Sequence, residues 1–207
     1  MGKLLLAMMV GCALLMAGCS GDDNGTGDNN NQPMTGDPLP LAVGNAWSGT
    51  TRTTTIYDTS TVDIIYFVTA DSVVGEENWY LIKSKANGTT GLFGWFTVRQ
   101  DGVYVITAEN DLGVAEPQMI FKFPGKVGDK YTSNLWGATY TIEIIAQNVS
   151  VTVPQGFHAC CQYELRVGQS GYSGIFLGPN TGFVKMETFG SSYSYHSNWE
   201  LDTLVLK

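Results

Sequence analysis

Residues 140–167 read YTIEIIAQNVSVTVPQGFHACCQYELRV. Ile142 and Ile144 alternate with Thr141 and Glu143, and Val149, Val151 and Val153 alternate with Ser150 and Thr152. Further on, Cys161, Tyr163, Leu165 and Val167 alternate with Gln162, Glu164 and Arg166. A period of two gives each run one buried side and one wet side, as in antiparallel sheets. It also assigns the two adjacent thiols to opposite faces, with Cys161 in the core beside Tyr163 and Leu165, and Cys160 on the wet face.

The same reading extends outward along the chain. Short alternating or β-branched runs separated by Gly, Asn and Asp turns predict strands at 47–57, 62–70, 79–85, 92–99, 102–107 and 118–123. The remaining strands fall at 138–146, 149–154, 160–167, 172–177, 182–189 and 197–206. Outside the N-terminus no long window has helical spacing free of Gly; one short helical turn fits near 109–116. Only 14% of the 207 residues are charged, while Gly alone contributes 25, a turn-rich composition suited to antiparallel sheets. Aromatic residues at 12% supply bulk for a core. The expected fold is all-β: an antiparallel, strongly curved sheet, half-barrel or barrel of about ten to twelve strands.

An internal echo suggests two halves, about 40–107 and 124–187. Pro40-Leu41-Ala42-Val43-Gly44-Asn45-Ala46-Trp47 matches Pro124-Gly125-Lys126-Val127-Gly128-Asp129-Lys130-Tyr131 as P-x-x-V-G-[ND]-x-[WY]. Two explanations stay open: a duplicated β-unit, or turn chemistry recurring wherever strands begin. Duplication predicts Val43 and Val127 both buried, Gly44 and Gly128 in equivalent turns, and Trp47 and Tyr131 in one core.

The N-terminus has a different character. Met1-Gly2-Lys3 is a short positive stretch, and Leu4 to Met16 is apolar but too short to span a bilayer. Leu15-Met16-Ala17-Gly18-Cys19 resembles the lipobox of bacterial lipoproteins. The resemblance implies a signal peptide over 1–18, cleavage before Cys19 and lipidation of Cys19, the one membrane element expected. Ser20, rather than Asp, after that cysteine implies the outer membrane, on its periplasmic face or at the cell surface. Residues 20–39, rich in Asp, Asn and Gly, read as a flexible tether reaching about 25 Å. The folded domain is then 40–207. Asp22-x-Asn24-x-Thr26-Gly27-Asp28 opens like a calcium loop, but Pro33 stands where a bidentate Glu is required.

Several chemistries lack their residues. Cleavage before Cys19 removes Lys3 and no acid, leaving ten cations against nineteen acids, a field that repels nucleic acid. His158, Cys160 and Cys161 hint at a soft-metal set, but nothing completes a tetrahedron, and His196 reads as exposed. Ser170 and Ser173 lie in a Gly-rich turn without the nucleophile-elbow spacing. Glu76-Glu77 falls in a turn next to Asn78. No catalytic, cofactor or metal residue is assigned; Cys19 is the one modified position.

Over residues 38–190 the chain also resembles a loose group of uncharacterised bacterial lipoproteins. The motifs are the opening Pro38 to Trp47, the run Val151-Thr152-Val153-Pro154-Gln155-Gly156-Phe157-His158-Ala159-Cys160, and Gly178 to Lys185. Their sheets are similar to the curved half-barrels of lipoprotein carriers, which implies an apolar concavity. The expectation is a lipid-anchored, non-catalytic envelope module that binds an apolar ligand or an envelope protein through aromatic-rich strands (Trp79-Tyr80, Phe93, Trp95-Phe96, Trp136). The alternative is a carboxylate-dependent hydrolase of an envelope polymer, marked by a pocket joining two carboxyl groups.

Overall fold

The computed structural model describes residues 34–168, 171–190 and 195–207. Residues 1–18, read above as a signal peptide, Cys19, the calcium-like segment and Ser170 lie outside the described residues.

The strands are β1 (Ala46–Thr55), β2 (Thr59–Val74), β3 (Glu77–Ala86), β4 (Thr89–Arg99), β5 (Gly102–Ile106) and β6 (Gln118–Lys122). They continue with β7 (Lys130–Leu135), β8 (Ala138–Val153), β9 (Gly156–Arg166), β10 (Tyr172–Gly178), β11 (Gly182–Phe189) and β12 (Tyr195–Val205). All lie in one antiparallel sheet ordered β6-β5-β4-β3-β2-β1-β12-β11-β10-β9-β8-β7. β1 pairs with β12 from Ala46↔Val205 to Thr55↔Tyr195, so the first and last strands join. The curved sheet therefore almost closes into a barrel, and its one seam lies between β6 and β7.

Two strand expectations are corrected. The runs 138–146 and 149–154 are one strand, β8, interrupted by a bulge around Gln147 and Asn148. There Asn148 has φ +54°, so a turn-like dipeptide marks an irregularity within a strand. β7, Lys-Tyr-Thr-Ser-Asn-Leu, has no readable apolar alternation, because polar Ser133 holds one of its buried positions. The helical turn near 109–116 is a single 3₁₀ turn over Glu109–Asp111.

Side chains hold the seam where a backbone ladder is missing. The Tyr131 hydroxyl donates to Ile120 O and accepts from Lys122 N–H, both at 3.0 Å. Ser133 donates to Met119 O, and Gln118 Oε1 accepts from Asn134 N–H at 3.1 Å. Tyr163 reaches over from β9 and donates to Lys122 O at 2.9 Å. Four backbone groups on the β6 edge, Met119 O, Ile120 O, Lys122 N–H and Lys122 O, are thus satisfied without a neighbouring strand, which guards an exposed edge against foreign pairing.

The two halves, β1–β6 and β7–β12, are meanders of the same order, and their opening turns match bond for bond. Gly44 N–H donates to Val68 O (3.0 Å), Val68 N–H to Asn45 O (2.9 Å) and Asn45 N–H to Ala42 O (3.0 Å). In the second half Gly128 N–H donates to Ile144 O (2.8 Å), Ile144 N–H to Asp129 O (3.0 Å) and Asp129 N–H to Lys126 O (2.9 Å). Gly44 and Gly128 share φ values of +94° and +87°. Val68 and Ile144 each stand immediately before a bulge. The two turns thus share their partner-strand position and the bulge that follows it. Exchanging the halves maps the β12–β1 ladder onto the β6–β7 seam. Trp47 and Tyr131 face one core. Val43 and Val127, however, are 44% and 38% exposed rather than buried, because each sits at the tip of its turn instead of at the mouth of the strand.

The barrel interior is filled. Phe183 lies 5.5 Å from Trp47, 5.8 Å from Tyr66, 5.7 Å from Phe93 and 6.4 Å from Phe121, measured between ring centroids. Trp136 stacks on Phe93 at 5.7 Å and donates to its carbonyl, covering one end. The apolar concavity implied by the carrier resemblance is thus occupied by the protein's own rings. Burial pushes the Tyr66 hydroxyl up to about 12. A smaller apolar cluster (Trp79, Leu81, Trp95, Ile106) lies under residues 107–117, fastened by Trp95 Nε1–H to Glu109 O (2.9 Å) and Lys83 to Glu109 (2.8 Å).

The placement of Cys160 is also corrected: both thiols are buried and free. Up to Cys161 the buried side of β9 carries Leu165, Tyr163 and Cys161; beyond it the opposite side, from Cys160, is covered. The β8–β9 arm past the bulge reaches β12, where Gln155 N–H donates to Leu201 O at 3.1 Å. It also packs against β11, and residues Gly174–Gly178 of β10, the ladder neighbour of β9, are buried in succession on both faces. The outer face of the arm is therefore dry, and alternation within β9 cannot reveal that.

Candidate functional site at the barrel mouth

One end of the barrel, called the mouth here, carries residues 34–45, the turns after β2, β4 and β10, and the 123–129 connection. Composition placed residues 34–39 in the tether, but here they form the plug of this end. Met34 and Leu39 are buried, and Leu41 packs on the core. Asn180 holds the segment from the far wall: its Oδ1 accepts from Asp37 N–H (3.0 Å) and its own N–H donates to Asp37 O (2.7 Å). Buried Asn45 ties this segment to Lys207, donating to Pro40 O (2.9 Å) and accepting from Lys207 N–H (2.8 Å). A Cβ on Gly182, which has φ +81°, would sit 2.9 Å from Trp47 Nε1 and 3.0 Å from Leu39 Cδ1, so only glycine admits the plug.

Two clefts flank the plug, with Val98 common to both. The first, about 490 Å³, has walls of Met34, Pro38, Val98, Phe123 and Pro124, with Arg99 and Gln100 at its rim. The second, about 370 Å³, is more polar: Asp37, Glu76, Glu77 and Asn78 face Leu41 and Tyr80. Glu76 and Glu77, read from sequence as a solvated turn, therefore border a cleft. Arg99 grips Glu77 with two bonds, Nε to Oε1 at 2.6 Å and Nη2 to Oε2 at 2.8 Å, and lies 4.2 Å from the Tyr104 ring centre. The hydrogen bond from Arg99 holds the Glu77 carboxyl below its ordinary range. A general acid needs the opposite shift, so Glu77 fits a binding or structural role.

A third cleft, about 570 Å³, lies on the outer face of β1, β2 and β12. There the Thr50 hydroxyl lies 2.9 Å from Asp63 Oδ1 and 3.0 Å from Asp202 Oδ2. Both carboxyl groups are exposed. Sequence reasoning missed this pair because 139 positions separate the two acids and only the β1–β12 closure brings them together.

The other sequence candidates do not converge. His158 bonds Gln155, and burial lowers its pKa. His196 stacks on Phe189 with ring centres 4.4 Å apart, half-buried rather than open. Ser173 bonds Thr188 across the sheet. Among the described residues, no group of three or more His, Cys, Asp or Glu side chains is placed to hold a metal.

No protein family and no curated protein matches the sequence. Among solved structures, the chain is similar to one described as an exported protein with a YmcC-like fold from Bacteroides fragilis. That match has 14% identity and a TM-score of 0.54, covering 83% of this chain and 100% of the other. A lipoprotein from Parabacteroides distasonis aligns over the same shares at 12% identity and a TM-score of 0.48. The first of these places the chain within a known all-β, strongly curved architecture.

Proposed function

We propose that this protein is a lipid-anchored, non-catalytic module of the cell envelope, held through Cys19 in the outer membrane, that takes an apolar ligand or the apolar side chain of an envelope partner at its mouth. The observation that carries the reading is the cleft between the plug and Phe123-Pro124. It is concave and apolar with a polar rim, and lies outside a core that has no room for a guest. Supporting the anchor are the ordered lipobox and Ser20. Val98 is exposed and lines both mouth clefts, so Val98→Asp changes the site without touching the core. A fluorescent medium-chain fatty acid, titrated into the mature chain, is the probe. At least tenfold weaker binding by Val98→Asp is the expected result; equal binding, or none by the parent, overturns the reading. In cells, Cys19→Ala is expected to move the protein out of the carbonate-washed membrane fraction, and its retention there would refute the anchor.

One observation favours a second reading. Asp63 and Asp202, both within hydrogen-bonding reach of Thr50, stand at most about 6 Å apart across an open cleft, near the spacing of retaining glycosidases. Release of sugar from an envelope polysaccharide, lost in both Asp63→Asn and Asp202→Asn, would replace the binding reading with a hydrolase.

A further inference from the structure

We propose that the mouth of the barrel lies against the membrane to which Cys19 is attached, and that the twin turn tips of the two halves touch the lipid surface. The inference rests on the anchor reading above. Only residues 20–33 separate Cys19 from Met34, at most about 50 Å of fully extended chain. Met34 is packed into the mouth, so the chain enters the folded body at that end. The anchor thus pulls from the mouth.

The surface there suits an interface. Val43 and Val127 occupy the same tip of the same turn in both halves, and both are exposed. Leu206, next to the Lys207 that packs on Gly44, is 44% exposed. Burying these in a head-group layer removes an apolar penalty that water imposes, and two or more weak contacts add to an acyl anchor. Lys126 and Lys207 are exposed beside the two valine tips, where anionic head groups would meet them. The opposite end also exposes Ile56 and Tyr57, and its loops carry Asp58, Glu109, Asp111 and Glu116. Charge does not separate the two ends, because the mouth carries Asp37, Glu76 and Asp101 of its own; the tether that enters at Met34 does.

The test uses the lipidated full-length protein in vesicles of phosphatidylethanolamine and phosphatidylglycerol. A polarity-sensitive fluorophore is placed at Val127→Cys or at Tyr57→Cys; Cys160 and Cys161 are buried and stay unlabelled. The expected result is a blue-shifted probe at 127, quenched by a lipid carrying a shallow spin label, and an unshifted, unquenched probe at 57. Quenching at 57 instead of 127, or at neither while the protein sediments with vesicles, overturns the orientation and leaves the anchor standing. Failure to sediment overturns the anchor and the orientation together.

Discussion

Removing a single oxygen from the seam tests the claim that side chains close this barrel. Tyr131→Phe leaves the ring in place but takes away the hydroxyl that satisfies both Ile120 O and Lys122 N–H. The hydroxyl is well buried, which also pushes its pKa up, so water does not readily replace it. Each unsatisfied backbone group costs about 1–3 kcal/mol. Partial relaxation brings the expected loss to about 2–3 kcal/mol, or roughly 5–10 °C in Tm for a domain of this size. The damage should be local as well as global. Amide exchange at Ile120–Lys122 should accelerate well beyond that in the β1–β12 ladder, whose backbone bonds do not depend on Tyr131. Tyr163→Phe loses one bond to Lys122 O and should cost less. Because the two hydroxyls meet at Lys122, the double variant should depart from additivity. Unchanged exchange at residues 120–122, with a stability loss under about 0.5 kcal/mol, would show that ring packing alone holds the seam.

Two further expectations follow from the same structure. Cys160→Ser and Cys161→Ser should each cost about 1–3 kcal/mol in urea unfolding, because both thiols are buried. Burial pushes Cys160 up to about 12 and Cys161 up to about 11, so iodoacetamide at pH 8 should label neither until the chain unfolds; fast labelling of one would put it back on the wet face. Glu77, held below its ordinary value of 4.5 by Arg99, contributes stability that is present above that value and lost as pH falls through the lower folded value. Glu77→Gln should therefore lower stability at neutral pH by about 1 kcal/mol or less, since the pair is one-third exposed, with the gap to the parent closing in acid. A gap that widens on acidification would contradict the assignment.

The local pattern of the chain determined a great deal. Alternation at 140–144 and 161–167 required antiparallel strands with one dry face, and P-x-x-V-G-[ND]-x-[WY] marked two turns that prove equivalent down to their acceptor atoms. Residues 34–39 misled because composition measures average polarity, whereas two apolar side chains, Met34 and Leu39, were enough to seat the plug. Tertiary structure alone decided where the sheet closes. Backbone groups of β1 and β12 are alike to any strand, and their pairing depends on how the two six-strand meanders are set side by side. It also decided what covers the outer face of the arm, and so the burial of Cys160, and it brought Asp63 beside Asp202. Periodicity records which residues share a face of a strand. What lies against that face is set by partners more than a hundred residues away, and no local window contains them.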